Sequence, residues 1–145
     1  MSYVIHPFTR KQVKMITEIY NTGTISTIDS TILSSKNKRY WVMPVSDVGL
    51  VLYDDKNSSH EVLIEASGKK FDTLGLRFVD GVLSFFGRTQ IPNVFDRRKL
   101  SEYDLWVSEK HCYHNAPYRL ELDSNGIFAI YDNNQDRVFP ILHFK

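Results

Sequence analysis

The sequence predicts an all-β domain built from antiparallel strands. Short apolar runs of strand length recur along the chain, clusters of turn-forming residues separate them, and 13% of the residues are aromatic. Aromatic and β-branched side chains fit the pleated surface of a sheet, and short runs bounded by Asp, Asn, Ser and Gly are typical of strands. At 145 residues, the chain has the length of one domain with one core.

The strand-length runs lie between residues 40 and 131. They occupy residues 40–43, 50–53, 61–64, 74–79, 82–86, 118–122 and 127–131. The polar clusters that separate them fall at residues 54–59, 67–70, 123–126 and 132–136. These clusters are rich in Asp, Asn, Ser and Gly, which adopt turn conformations readily. Many short strands with turns between them predict a sandwich, a barrel or a prism.

The first 15 residues are predicted to be an N-terminal extension of a single domain that spans residues 16–145. Thr9 and Gln12 stand at capping-box spacing, and the apolar residues that follow have near-helical spacing, which favours a short helix at residues 10–18. The β-branched residues from Ile16 onward favour strands in the same region. The sequence leaves both alternatives open.

The charge balance argues against a polyanionic partner. Eighteen Lys and Arg residues against seventeen Asp and Glu residues give a net charge of +1, which creates no strong field towards nucleic acid or an anionic membrane. Short basic clusters at residues 36–40, 69–70 and 97–99 are interpreted as solvated turns, with phosphate contact as the alternative. No apolar run of about 18 residues predicts a membrane span, and residues 1–14 lack the apolar core of a signal peptide. We expect a soluble protein, either cytoplasmic or released without a conventional signal peptide, with no nucleic-acid partner and no membrane insertion.

Residues that could carry catalysis or bind metal are few. His111, Cys112 and His114 bring together imidazole and thiol groups, which are zinc ligands, but no second ligand pair accompanies them at metal-site spacing. Cys112 is the single cysteine, so no internal disulfide can form. The acidic residues Asp54 and Asp104 are interpreted as solvated side chains rather than as a paired acid and base. We expect no enzyme activity, no metal site and no cofactor.

Three segments share one pattern, and together they form the most informative feature of the sequence. Each has a strand, a tight acidic or glycine-containing turn and a second strand with an aromatic end; they are residues 41–55, 76–87 and 120–132. Each continues through a polar turn to another apolar pair, at residues 63–64, 94–95 and 138–139. Such self-similarity predicts an internal repeat with one structural unit per segment. The alternative is a set of ordinary hairpins in another all-β domain.

At these segments the chain resembles the bulb-type mannose-binding lectins of monocots, in which a Q-x-D-x-N-x-V-x-Y element occurs three times. Residues 19–26 also look like the N-terminal strand of that family, with its glycine turn at Gly23, so the resemblance covers about residues 16–143. It implies a three-sided β-prism (β-prism II) of antiparallel strands with pseudo-threefold internal repeats. It requires an insertion within residues 87–117. It implies a lectin that binds carbohydrate, with mannose-type glycans or glycoproteins as the partners.

Matching the first repeat to the family motif gives the first candidate site. The resemblance implies that Asp47, Val51 and Tyr53 bind the sugar, the polar groups through hydrogen bonds and the valine through the ring carbons. Val45 stands where the family has Gln, and Gly49 stands where it has Asn. The alternative is that Asp47 only forms a turn and that Tyr53 only packs.

The third repeat gives the second candidate site, and the second repeat gives none. Asp123 and Asn125 are polar replacements at the first two motif positions, and Tyr131 keeps the final tyrosine, so the resemblance implies sugar binding by these three residues. The second repeat keeps only Asp80, and its strand ends in Phe86.

Two further properties follow from the resemblance. Plant members carry a disulfide from the first repeat, but Val48 occupies the position of that cysteine, so packing must replace the cross-link. Family members often dimerise by exchanging C-terminal strands, and residues 137–145 are apolar enough to do so. We therefore expect a homo-oligomer formed through the C-terminal strand. The alternative function is a β-prism that binds no sugar and serves protein–protein assembly.

Overall fold

The structure is a computed structural model that describes residues 2–20, 22–26, 31–66, 71, 73–90, 100–108, 116–135 and 137–143. These residues form fourteen β-strands and no helix. The strands are β1 (Ser2–Ile5), β2 (Gln12–Ile16), β3 (Glu18–Tyr20), β4 (Thr22–Ser26), β5 (Thr31–Ser34), β6 (Tyr40–Val45), β7 (Gly49–Asp54), β8 (Ser59–Glu65), β9 (Thr73–Val79), β10 (Val82–Gln90), β11 (Leu100–Val107), β12 (Arg119–Leu122), β13 (Ile127–Tyr131) and β14 (Arg137–His143). The predicted all-β class is confirmed. Within these ranges, no helix has the length and apolar character needed to cross a bilayer.

The strands form three sheets. Sheet I has the order β1-β2-β5-β6-β7-β8, sheet II the order β11-β10-β9-β4, and sheet III the order β14-β13-β12-β3. Each sheet contains an antiparallel three-stranded meander, namely β6–β8, β9–β11 and β12–β14. The first hairpin of each meander is one of the three segments aligned in the sequence, so each aligned segment lies in its own sheet.

Three consecutive strands near the N-terminus join the sheets to one another. β3 pairs with β12 in sheet III, β4 pairs with β9 in sheet II, and β5 pairs with β6 in sheet I. The resemblance implied one strand with a glycine turn for residues 19–26, whereas the structure divides them between β3 and β4. Strands that follow one another but enter different sheets leave no local pairing pattern in the sequence, so this division could not be predicted.

The N-terminal residues form a hairpin, and the helical alternative for residues 10–18 is wrong. β1 pairs antiparallel with β2, and β2 pairs parallel with β5. Along β2, the buried Val13 and Met15 alternate with more exposed residues, which is the period of a strand. Thr9 accepts a hydrogen bond on its hydroxyl from the Lys11 N–H at 3.4 Å, so the capping-box residue shapes a turn instead. Burial of the two apolar side chains decides in favour of the strand.

One apolar core is shared by the three sheets. Sheet I contributes Leu50 and Leu52, sheet II contributes Phe78 and Phe85, and sheet III contributes Phe128, all fully buried. Burying one such side chain stabilises a fold by about 1.5–3 kcal/mol. Because every sheet buries its inner face against the other two, the three sheets form one cooperative unit.

Sheet I carries a second apolar cluster on its other face, which we call the outer cluster. Its buried members are Val13, Met15, Ile32, Trp41, Met43, Val45 and Val51. Strands β1 and β8 are opposite edges of this sheet, yet the rings of Phe8, just after β1, and His60, in β8, lie 5.1 Å apart. Sheet I must therefore be curled, so that its two edge strands approach each other. The N-terminal hairpin, β1 and β2, then covers the outer cluster.

The last strand of sheet II differs from the sequence prediction. The apolar pair at residues 94–95 lies outside the described residues, and the strand that pairs with β10 is β11. In β11, Glu102, Tyr103 and Asp104 are exposed, as is usual in an edge strand. Glu102 and Asp104 hide the strand pattern. Although β11 lies within the range where the resemblance requires an insertion, it is the third strand of the sheet II meander.

Strand β14 forms the edge of sheet III. It pairs antiparallel with β13 of the same chain, with Pro140 opposite Ala129 and a shift in register between Phe128 and Ala129. Proline has no N–H to give to a ladder, so it is tolerated at an edge or an irregularity. The strand proposed for exchange between subunits is therefore paired within its own chain here.

Two buried aspartates close the turns that follow repeat tyrosines. Asp54 is 1% exposed, so its interpretation as a solvated residue is wrong. Its carboxylate accepts two hydrogen bonds from Arg39 at 3.0 Å and one from the Lys56 N–H at 3.1 Å, and the bond from Arg39 is the main cause of its lowered pKa. Asp132, which is 3% exposed, accepts a hydrogen bond from the Asn134 N–H at 2.9 Å. Sequence pattern alone did not distinguish these aspartates from surface acids.

Candidate functional site

The first repeat places Asp47 at the tip of the β6–β7 hairpin. The Val48 N–H donates to the Val45 carbonyl oxygen at 3.1 Å and closes the turn. Asp47 has φ = 65°, a left-handed conformation that Asp adopts more easily than most residues because its side chain can hydrogen-bond locally. Its side chain is exposed. The turn thus presents a carboxylate to solvent at a fixed place.

Gly49 occupies a position that no side chain can enter. Its φ is 134°, and a Cβ would overlap the Ile64 carbonyl oxygen and stand 3.0 Å from both the Glu65 Cα and the Ala66 nitrogen. All three of these are backbone atoms, so no rotamer change can make room. The Asn of the family motif therefore cannot be accommodated at position 49. Because Gly49 has no side chain, the end of β8 packs directly against the turn.

A cleft of ≈ 330 Å³ opens between this turn and the end of β8. It is lined by Asp47, Val48, Val62, Glu65 and Ala66. The two carboxylates are exposed, and the other three side chains are half-buried. The cleft therefore presents acceptors for hydroxyl groups beside a small apolar surface, a combination that suits a polyol with carbon-bound hydrogens on one face.

The register of β7 and β8 explains why Glu65 belongs to the cleft. Gly49 lies opposite Glu65, and the register shifts between Leu50 and Val51. The shift adds a residue to β8 at a bulge, and a bulge re-aims the side chains beside it. Sequence reasoning missed Glu65, Val62 and Ala66. Pairing the runs at residues 50–53 and 61–64 as a hairpin would have brought the end of the second run to the Asp47 turn, but the bulge has no sequence signal.

The other two candidates of the first repeat lie in the outer cluster. Val51 is fully buried, and Tyr53 is half-buried with its ring centroid 5.4 Å from that of Trp41. The N-terminal hairpin supplies Val13 and Met15 to the same cluster. A ligand could touch Val51 only after this hairpin had moved. Asp47 therefore lines an open cleft, whereas Val51 is buried beneath the N-terminal hairpin.

A buried histidine holds the turn of the N-terminal hairpin. His6 is 6% exposed, and its Nδ1 accepts hydrogen bonds from the N–H groups of Phe8 at 3.1 Å and Thr9 at 3.2 Å. An imidazole nitrogen can accept only while it carries no proton. Burial lowers the pKa of His6 below its ordinary value of 6.5, which favours the neutral ring that this turn requires.

Acid is expected to loosen the N-terminal hairpin before the rest of the fold. Because the folded-state pKa of His6 is depressed, its stabilising effect is complete above pH 6.5 and is lost as the pH falls below that value. Loss of two hydrogen bonds amounts to about 1–3 kcal/mol. Trp41 emission, followed against pH in a Trp106→Phe background, should shift to longer wavelength. In His6→Asn, whose amide oxygen can still accept, the profile should be flat; the same shift in that variant would contradict this role of His6.

The second repeat is closed by charged side chains. Phe86 is fully buried, and the guanidinium carbons of Arg77 and Arg88 lie 4.4 and 5.0 Å from its ring centroid. Both arginines bond to Glu102, and these bonds, chiefly that of Arg77, lower the pKa of Glu102 to about 2. Arg77, Arg88 and Glu102 are thus ion-paired with one another, and the two arginines cover the Phe86 ring. The Phe86 ring of this repeat is therefore covered and not open to a ligand.

The third repeat places its predicted residues at the two ends of the β12–β13 hairpin. Asp123 Oδ1 accepts hydrogen bonds from the N–H groups of Asn125 at 2.8 Å and Ile127 at 2.9 Å, so it closes the β12–β13 turn. Asn125 is exposed at the tip. Tyr131 lies at the other end of β13, with the Arg119 guanidinium carbon 4.6 Å from its ring centroid. The turn residues and the tyrosine are therefore separated by the length of one strand.

No metal site can be assigned to the described parts of the chain, where no three His, Cys, Asp or Glu side chains come together to hold an ion. His111, Cys112 and His114 lie outside the described residues, as do the basic residues at 69–70 and 97–99.

Comparison with known proteins adds a structural likeness. No protein-family model matches the sequence, and neither does any curated protein. Among solved structures, the chain is similar to the "Japanese Marasmius oreades lectin", with a TM-score of 0.58 and 15% sequence identity over 88% of this chain and 92% of that one. At this identity the likeness concerns the fold alone and does not single out the bulb-type family. The chain thus has the fold of a lectin.

Proposed function

We propose that this protein is a lectin-like protein that binds carbohydrate, without catalysis, in the cleft between the β6–β7 turn and the end of β8. The observation that carries the proposal is the pairing of the exposed Asp47 and Glu65 carboxylates with the apolar side chains of Val48 and Val62 in one cleft. The lectin fold supports it. Mannose-type glycans are the proposed ligands, because the resemblance of the repeats implies them.

The chemistry of the cleft suits a neutral sugar. An ionised carboxylate accepts hydrogen bonds from hydroxyl groups, and bonds to charged groups are worth about 1.5–3 kcal/mol each. Val48 and Val62 offer surface for the carbon-bound hydrogens of the ring. Both valines also pack against the outer cluster, so they are held in place before a ligand arrives. The contact area is small, so affinity in the millimolar range is expected for a single sugar.

The proposed site shares Asp47 with the family motif and departs from it elsewhere. Val51 and Tyr53 lie in the outer cluster, and Gly49 cannot be replaced by the motif's Asn. Glu65 from β8 takes over as the second polar group. The proposed site is therefore displaced from the family's motif positions to the tip of the β6–β7 hairpin. The pairing of β7 with β8 brings Glu65 to it.

Replacing both carboxylates is expected to weaken sugar binding at least about tenfold, because two charge-assisted hydrogen bonds become neutral ones. The variant is Asp47→Asn with Glu65→Gln. Asn tolerates the left-handed conformation at position 47, so the turn should survive. Calorimetric titration with methyl α-mannoside measures the dissociation constant.

Asp55→Asn is the matched control, since Asp55 is an exposed acid at the other end of the same hairpin; it should bind like the wild type. If the double variant and the wild type bind methyl α-mannoside with equal affinity, the cleft is not the sugar-binding site. Thermal unfolding of each variant checks that the fold is intact.

The alternative is an assembly module that ignores sugar, and one observation favours it. Edge strand β1 exposes Tyr3 and Ile5, at 53% and 57% of their surface, and an exposed apolar edge can pair with another chain. A homo-oligomer through β14 remains part of this proposal. Light scattering with and without methyl α-mannoside measures the molecular mass and distinguishes the two functions. An assembly module should form oligomers whose mass does not change when the sugar is added.

A further inference from the structure

The apolar walls of the cleft pack against the outer cluster, and the N-terminal hairpin completes that cluster. Val48 and Val62 line the cleft and pack against the cluster from that side. The hairpin contributes the buried Val13 and Met15 and the partly buried Val4 to the same cluster. Protein interiors are close-packed, so displacing one set of side chains is felt by the others. The hairpin and the cleft are therefore coupled through one body of apolar side chains.

A second connection runs from the turn of the hairpin to β8, the strand that forms one wall of the cleft. The Phe8 ring lies edge-on to two imidazoles, with its centroid 6.0 Å from that of His6 and 5.1 Å from that of His60. His60 stands opposite Tyr53 in the β7–β8 ladder, and Tyr53 packs against the outer cluster. The position of the turn thus bears directly on β8.

His6 is the group of the hairpin that can respond to pH. Its buried ring accepts two hydrogen bonds on Nδ1, from the N–H groups of Phe8 and Thr9. A protonated ring cannot accept, so both N–H groups would lose their partner and face a donor. Burial lowers the pKa of His6 below 6.5, so the ring takes up its proton as the pH falls below that value. Opening the hairpin lets water solvate the imidazolium, so acid favours the open form.

The charges around His6 also favour the neutral ring. The charged side chains of the hairpin itself are all cations, namely Arg10, Lys11 and Lys14. From β8, His60 approaches the turn through Phe8, and it too can only add positive charge. Glu61 stands opposite Leu52 of the shared core, so this acid lies on the other face of the sheet. Protonation of His6 therefore adds a positive charge to a cationic hairpin, which destabilises the closed form.

We propose that the N-terminal hairpin is a pH-sensitive cover that couples protonation of His6 to release of carbohydrate from the cleft. The inference rests on the proposed carbohydrate-binding function and adds its regulation. Near neutral pH, the closed hairpin holds Val48 and Val62 in place before the ligand arrives. In mild acid the hairpin opens, the outer cluster loosens, and the cleft loses its preformed apolar wall, so binding must include the cost of ordering it.

The expected effect is a loss of affinity in mild acid. Coupling between two sites typically changes affinity 5–150-fold, and we expect methyl α-mannoside to bind about tenfold more weakly at about pH 5.5 than at about pH 7.5. Such coupling is reciprocal. Saturating sugar should therefore move the midpoint of hairpin opening down by about one pH unit. Calorimetric titration measures the affinity, and Trp41 emission in the Trp106→Phe background measures the midpoint.

Two histidine variants identify the titrating group. His6→Asn keeps an acceptor oxygen in the turn and should bind the sugar equally well at both pH values. It also keeps Asp47 and Glu65, so any direct effect of acid on the cleft carboxylates would remain in this variant. His60→Phe keeps a ring beside Phe8 without a titratable nitrogen, and it should follow the pH profile of the wild type.

A further pair of variants tests the coupling without acid. Phe8→Ala removes the contact between the turn and β8, and it should weaken sugar binding about fivefold at neutral pH. Ile5→Ala is the matched control, because Ile5 is 57% exposed on the same hairpin; it should bind like the wild type. Thermal unfolding of each variant checks that the fold is intact.

The outcomes separate this inference from the proposed function. Binding that is equally strong at both pH values, or that weakens equally in His6→Asn, overturns the pH-sensitive cover and leaves the proposed function standing. A flat profile in His60→Phe with a wild-type profile in His6→Asn assigns the response to His60 and overturns the role of His6. Wild-type affinity in Phe8→Ala overturns the link from the turn to β8. No saturable binding at neutral pH overturns both proposals.

Discussion

Replacing Gly49 by alanine is expected to destabilise the fold by about 3–5 kcal/mol, which is at the upper end for a single substitution. The added Cβ would overlap the Ile64 carbonyl oxygen and crowd Glu65 and Ala66. Backbone atoms of a paired strand cannot turn aside, so β7 and β8 would have to separate. The φ of 134° adds strain for any residue with a side chain.

Chemical denaturation of Gly49→Ala and of Ser46→Ala tests this expectation. Ser46 is an exposed residue of the same turn, and its substitution should change the free energy of unfolding by less than about 0.5 kcal/mol. Gly49→Asn would restore the Asn of the family motif, and we expect it to be at least as destabilising as the alanine variant. A stable Gly49→Asn protein that binds mannose more tightly would show instead that the first repeat works as the family site does.

Placing a carboxylate in the outer cluster is expected to release the N-terminal hairpin. Val13 is 2% exposed among apolar side chains that include Trp41 and Val51. Burial of an unpaired charge costs several kcal/mol, so Val13→Asp should open the hairpin and lower the free energy of unfolding by about 3–5 kcal/mol. Trp41, 5% exposed in the folded chain, should then meet water.

Tryptophan emission in a Trp106→Phe background reports this opening directly, and it should move to longer wavelength in Val13→Asp. Gln12→Asp places the same charge on the same strand at an exposed position and serves as the control, with emission and unfolding like the wild type. If Val13→Asp also keeps the wild-type emission and stability, the hairpin does not cover the first repeat.

The strands of the three aligned segments could be predicted because each carries its own local signal. The runs at residues 50–53 and 127–131 are continuous apolar and aromatic stretches next to turn clusters, and they appear as β7 and β13. Short apolar runs and turn chemistry act within a few residues, so a single sequence displays them. The predicted and observed strand ends differ by at most two residues, except in β10, which continues to Gln90.

The arrangement of the N-terminal strands could not be predicted, because it depends on distant partners. Val13 and Met15 lie in a strand since the outer cluster of sheet I buries them, whereas local spacing was equally compatible with a helix. β11 was missed because its charged residues, such as Glu102, pair with arginines of neighbouring strands. Those partners are remote in sequence.

The candidate site was predictable in part for the same reason. Asp47 could be found from its turn and from the resemblance, and it lines the cleft. Glu65 could not be found, because its place depends on a bulge in the β7–β8 ladder. The burial of Val51 depends on the N-terminal hairpin, which has no counterpart in the repeat pattern. A motif matched by position therefore located the turn but not the accessible surface around it.

The most direct test of the proposed function is a backbone-amide NMR titration of the wild-type protein with methyl α-mannoside, carried to high millimolar concentration. Saturable shifts at the amides of Asp47, Val48 and Glu65 are the predicted result, since these residues line the cleft. Amides of these three residues that stay unchanged throughout the titration would contradict carbohydrate binding at this site.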